Sequence, residues 1–147
     1  MEFHVNTPEV VYIDDYAHHP MELSATINSV KELFPGKKLT GIFQPHLYTR
    51  TRDLAGEFAE SLDALDELML MDIYPAREKP IPGVDSQLIA KQMHRCKVSL
   101  VDGKDNIIAK LLSSKVEVVL TLGAGSVDQL VTPITEALSK KTSPASA

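Results

Sequence analysis

Residues 10–20 read VVYIDDYAHHP. The first four are apolar and mostly β-branched, the composition of a buried strand. The last is a proline, which suits the first position of a helix. After Pro20 come Leu23, Ile27, Val30 and Leu33, spaced i, i+4, i+7 and i+10. That spacing makes one apolar helical face, and the run FPG at residues 34–36 stops it. The stretch is a strand, a turn and a helix. Its turn holds two carboxylates, a tyrosine and two histidines that packing does not require. Carboxylates at the mouth of a sheet must be solvated, paired or bound to something.

The same rhythm continues outward. LTGIF (39–43) predicts a strand, and Leu54, Phe58, Leu62 and Leu65 predict a second helix. A strand over 67–73 and a helix over 85–95 follow. Then come a strand over 98–101, a helix carrying Ile107, Ile108, Leu111 and Leu112, and a strand over 116–122. Strands alternating with helices of about ten residues predict a parallel sheet covered on both faces. Residues 3–5 are too few to begin such a unit and predict an antiparallel edge strand. The expected fold is a three-layer, Rossmann-like α/β domain. It has about five parallel strands plus one antiparallel edge strand, with helices on both faces. Residues 1–147 form a single domain, and 140–147 (KKTSPASA) is expected to be a disordered tail. Pro133 interrupts the last helical pattern. A short turn over 126–131 should therefore precede a helix with Thr132 as its cap.

Composition excludes several classes. The chain has 147 residues, 44% hydrophobic and 24% charged, so it can bury a core without metal or disulfide. A lone cysteine, Cys96, fits a reducing compartment, and a net charge of −5 argues against non-specific nucleic-acid binding. No apolar run reaches the roughly 18 residues of a membrane span, and MEFHVNTPEV lacks the pattern of a signal peptide. A cytoplasmic location is expected, with no nucleic acid, no membrane and no obligate protein partner.

Ligands of parallel sheets bind beyond the carboxyl ends of the strands. Five segments follow the strands here: DDYAHHP, QPHLYTRTRD, DIYPAREKPIPG, DGKD and GAGS. They should meet on one rim. Asp14 and Asp15 are also ordinary helix caps. His18 and His19, being neighbours, point apart, which argues against a shared metal, and no metal site is expected. His46, Arg50 and Arg52 put cations beside a helix N-terminus, against its dipole, and a bound anion would supply the reason. Residues 75–84, rich in proline, read as a stiff lid or wall. Ser126 and Gln129 have the spacing of a capping box, and Gly123 and Gly125 that of a tight turn. Neither standard nucleotide fingerprint is present, so the rim is half of a nucleotide site.

Taken together, DDYAHHP, FQPHLYTRTRD, DIYPAREKPIPG and TLGAGS resemble the C-terminal domain of the Mur ligases over about residues 10–138. The second and third motifs are most like the branch that adds L-alanine to UDP-N-acetylmuramate. The resemblance implies an ATP-dependent amide ligase that proceeds through an acyl phosphate. Its P-loop and most of its magnesium (Mg) ligands would lie in a central domain, and a further domain would hold the UDP sugar. By itself the chain would be an inactive excised domain. ATP and Mg are the implied cofactors, and L-alanine, UDP-N-acetylmuramate and ATP the implied partners. Asp15, with Asp14, would contact the ribose of ATP. Tyr16, His18, His46, Arg50 and Arg52 would surround the amino acid, with His18, His46 and Arg50 next to the reacting groups. One position departs from the pattern: Leu47 stands where many relatives carry arginine. A recycling ligase that attaches a peptide to the same sugar, and a stand-alone flavodoxin-like anion-binding domain, are the alternatives.

Overall fold

Alternating apolar residues on a strand supply two sheet faces, and here both are covered. The computed structural model describes residues 1–142. The sheet order is β1(Glu2–Asn6), β2(Val11–Asp15), β6(Val118–Leu122), β3(Leu39–Phe43), β4(Glu67–Leu70) and β5(Lys97–Leu100). Only the β1–β2 pair is antiparallel; the other four pairs are parallel. The expected five parallel strands with one antiparallel edge strand are therefore present.

The chain moves one way across the sheet from β2 to β5, through α1(Pro20–Leu33), α2(Tyr48–Leu62) and the short α3(Gln87–Ala90). It then returns through α4(Lys104–Ser113) to place β6 between β2 and β3. Parallel crossovers are right-handed, so reversing direction puts the returning helix on the opposite face. Ile13, Phe43 and Leu120 accordingly pack with Leu23, Ile27 and Phe58 on one side. Tyr12, Ile42 and Val119 pack with Ile107, Leu111, Ile134 and Leu138 on the other. Adjacent residues of each strand alternate between the two cores, as a period of two requires.

Three expectations need correction. The helix over 85–95 is only α3(Gln87–Ala90). The backbone N–H groups of His94, Arg95 and Cys96 each donate to the Asp63 carboxylate at 2.9 Å, which fixes them as a turn. The third parallel strand ends at Leu70 rather than at residue 73. Near Pro133, a 3₁₀ turn over Ser126–Leu130 runs directly into α5(Val131–Thr142). Thr132 is inside the helix rather than its cap, and Pro133 falls in the first turn, where its missing N–H has no helical partner to lose. Lys140 continues this helix; residues 143–147 lie outside the described residues. No described helix is long and apolar enough to cross a membrane.

Candidate functional site

Because β2 to β6 run parallel, the five polar segments do leave from one rim. β6 sends its chain to the opposite face from β2 and β3, which makes the neighbouring gaps a switch point for ligands. Gln44, at the end of β3, spans one of these gaps. Its side-chain carbonyl accepts from Val127 N–H at 2.8 Å and its amide lies 2.8 Å from the Ser126 hydroxyl. Ser126 is thereby committed to Gln44, and the 3₁₀ turn has no side-chain cap, so the expected capping box does not form.

The β2–α1 corner is held by its own residues. Glu22 accepts from the backbone N–H groups of His18 and His19, and Met21 N–H donates to His19 Nδ1. Those two hydrogen bonds hold the Glu22 carboxyl below its usual range, that from His18 first. The two aspartates part company. Asp15 accepts from Ala17 N–H at 2.9 Å and from the Thr26 hydroxyl at 3.1 Å, which ties the turn to α1. Asp14 accepts from the Thr121 hydroxyl at 2.7 Å, and Thr121 is 2.9 Å from the buried Tyr12 hydroxyl. Burial pushes the Asp14 carboxyl up from its ordinary value. Neither aspartate caps α1, and as neighbours on a strand they face opposite sides of the sheet.

The β3–α2 corner is built differently. Leu47, the residue before α2, has φ +74°, and no side chain of its own segment caps the helix. That conformation is one only glycine adopts without strain. The cap comes from the loop after β4: Glu78 accepts from Thr49 N–H at 3.1 Å and from the Thr49 hydroxyl at 2.6 Å. These bonds, the hydroxyl's first, hold the Glu78 carboxyl low.

Between these corners the rings of Tyr16, His18, His46 and Tyr74 form a ladder. Centroid separations are 5.3 Å, 6.1 Å and 5.6 Å along it. Tyr16 is 72% exposed and open to a ligand. His46 Nδ1 and Arg50 Nη1 are buried without a hydrogen-bond partner. Burial, followed by the charge of Arg50 and by His18, holds the His46 imidazole below its usual value, which favours its neutral form. A neutral imidazole beside a guanidinium with free donor capacity suits a carboxylate that also carries a proton to be removed.

Tyr16, His18, His46 and Arg50 thus come together from two distant segments. Arg52 does not join them; its guanidinium pairs with Asp53 at 2.9 Å on the exposed side of α2. Asp14 is also apart. Tyr74 and Glu78 were not legible as site residues, since a proline-rich run carries no period that says which side chains turn inward. Among the described residues, no group of three or more histidine, cysteine or carboxylate side chains is placed to hold a metal.

The family described as Mur ligase, glutamate ligase domain, matches residues 1–125. A UDP-N-acetylmuramate–L-alanine ligase of Parabacteroides distasonis is 56% identical over 140 residues, covering 95% of this chain and 30% of that protein. The crystal structure of a UDP-N-acetylmuramate–alanine ligase of Thermotoga maritima superposes with a TM-score of 0.72 at 25% identity. It covers 95% of this chain and 29% of that one. A murein peptide ligase of Psychrobacter arcticus, at 16% identity, shares the fold with a TM-score of 0.75 over 94% of this chain and 29% of its own. The chain spans about 30% of the length of the curated relatives it matches.

Proposed function

The chain belongs to the Mur ligase family, in its glutamate ligase domain, and on that premise we propose that it is the amino-acid-contacting domain of an ATP-dependent ligase joining L-alanine to UDP-N-acetylmuramate. What carries the reading is the 56% identity to a ligase of that name, together with the Tyr16, His18, His46 and Arg50 cluster on the open rim.

The chemistry has two steps. The γ-phosphoryl group of ATP passes to the muramyl carboxylate, releasing ADP and making an acyl phosphate. The amine of L-alanine then attacks the acyl carbon, an amide forms, phosphate leaves with the C–O electron pair, and the amine gives up a proton. Both steps depend chiefly on positioning and charge neutralisation. On this rim, Arg50 would hold the alanine carboxylate by its fork of donors. Neutral His46, or His18 beside it, would take the amine proton. Asp15, already bound to Ala17 and Thr26, has remaining lone pairs for a ribose hydroxyl. The triphosphate cradle and the seat of Mg would belong to the rest of the polypeptide, and the reaction would take place in the cytoplasm, where UDP-sugars and ATP are made.

The test is to assay the complete product of the encoding gene with ATP, Mg, UDP-N-acetylmuramate and either L-alanine or a tripeptide. Ligation of alanine is expected, and Arg50→Lys should raise the KM for alanine by about 10-fold or more. Ligation of the tripeptide alone would assign the chain to a recycling ligase instead. The isolated chain should bind ATP weakly and hydrolyse none; ATP turnover by it would overturn the division of labour.

A further inference from the structure

We propose that Tyr74 is a positioning residue that sets the orientation of the His46 ring and holds the strained entry into α2. The role of His46 rests on the proposed ligase activity; the position of its ring does not.

The His46 ring has no hydrogen bond at Nδ1 to fix it. Tyr74 stacks on it at 5.6 Å with 19° between the planes, whereas His18 meets it only edge-on at 6.1 Å. The backbone of Tyr74 holds both residues that flank His46. Tyr74 N–H donates to Pro45 O at 2.8 Å, and Leu47 N–H donates to Tyr74 O at 2.9 Å. His46 and Tyr74 thus re-form the β3–β4 ladder beyond the ends of those strands. The second of these bonds lands on the residue with φ +74°, so Tyr74 restrains the one corner of the rim that the local chain does not favour.

Behind Tyr74 lies Gly125, at φ +113°. A Cβ there would stand 2.8 Å from Tyr74 Cγ and 2.9 Å from Cδ1, closer than real carbon contacts come. The glycine of the GAGS turn is therefore required by the Tyr74 ring. Three rim segments meet through one side chain: GAGS presses on Tyr74, Tyr74 stacks on His46, and four residues on Glu78 clasps Thr49. The groups charged or titratable around His46 are Arg50, His18 and Glu78.

The experiment is an NMR titration of the histidine rings in this chain, with His46 assigned by its loss in His46→Gln. Wild type and Tyr74→Phe should titrate together, below the ordinary value of about 6.5. Tyr74→Leu, which removes the stacked ring and so uncovers the His46 imidazole, should raise the His46 midpoint by about half a pH unit or more, towards that value. Gly125→Ala keeps the tyrosine but displaces its ring, and should act in the same direction should Tyr74→Leu fail to fold. Amide exchange at Leu47 should quicken about 10-fold in both. An unchanged His46 midpoint in either folded variant overturns the proposal. In the complete ligase, Tyr74→Leu should lower kcat/KM for alanine about 10-fold, with rescue by phenylalanine. A shifted midpoint with unchanged kcat/KM would leave Tyr74 a positioning residue and refute the role given to His46. Lost activity with an unshifted midpoint would refute positioning itself.

Discussion

Two strand-to-helix corners sit side by side on this rim and are held by opposite means. The corner into α1 is local: Pro20 begins the helix, and His19 and Glu22 cap it within one turn. The corner into α2 starts from a leucine at φ +74°, has no acidic residue in its first turn, and borrows its cap from Glu78, 29 residues after Thr49. The self-sufficient corner carries Tyr16 and His18, and the strained one carries His46 and Arg50. A strained corner held by distant contacts places buried, unpartnered donors where a locally favoured helix start would have put a cap of its own. The difference separates a corner that its own residues hold from one that needs the rest of the sheet.

The comparison can be broken first at Asp15. Asp15→Ala removes acceptors for Ala17 N–H and Thr26 and should cost about 2 kcal/mol in urea denaturation. A loss too small to measure would mean the α1 corner needs only its cap. Pro20→Gly comes next, at about 1–2 kcal/mol, because it frees the unfolded chain and removes a buried side chain. Glu22→Ala should cost less, about 0.5–1 kcal/mol, through the lost capping box.

At the other corner the loss should nearly cancel. Leu47→Gly relieves a conformation that costs about 1–3 kcal/mol and loses a half-buried side chain, so it should fall within about 1 kcal/mol of wild type. Destabilisation as large as that of Pro20→Gly would show that the corner is not strained.

The smallest effect is in pH. His46 is depressed chiefly by burial, so its contribution to stability is full above the ordinary value of about 6.5 and is lost as pH falls towards its folded pKa. Glu22 and Glu78 are depressed carboxyls, so theirs is full above the ordinary value of about 4.3 and is lost below it. Mild acid should therefore loosen the α2 corner through His46, and stronger acid both corners through Glu78 and Glu22. Amide shifts of Thr49 would follow the two steps; a single step in the carboxylate range would contradict the part given to His46.

Where the chain speaks through short-range rules, its sequence alone determined the outcome. Alternating apolar residues set the strands and their two buried faces, Pro20 set the start of α1, and parallel order set the rim on which DDYAHHP and QPHLYTRTRD meet. These rest on periods of 2 and 3.6 and on backbone chemistry, which act over a few residues. Tertiary structure alone decided the rest. It split Asp14 from Asp15, and shortened α3 by drawing residues 94–96 onto Asp63. It also brought Tyr74, Glu78 and Gly125 to the site. Each depends on groups distant in sequence, or on which face a side chain meets once the sheet is built. No local period encodes such a meeting, because its free energy exists only when both partners are in place.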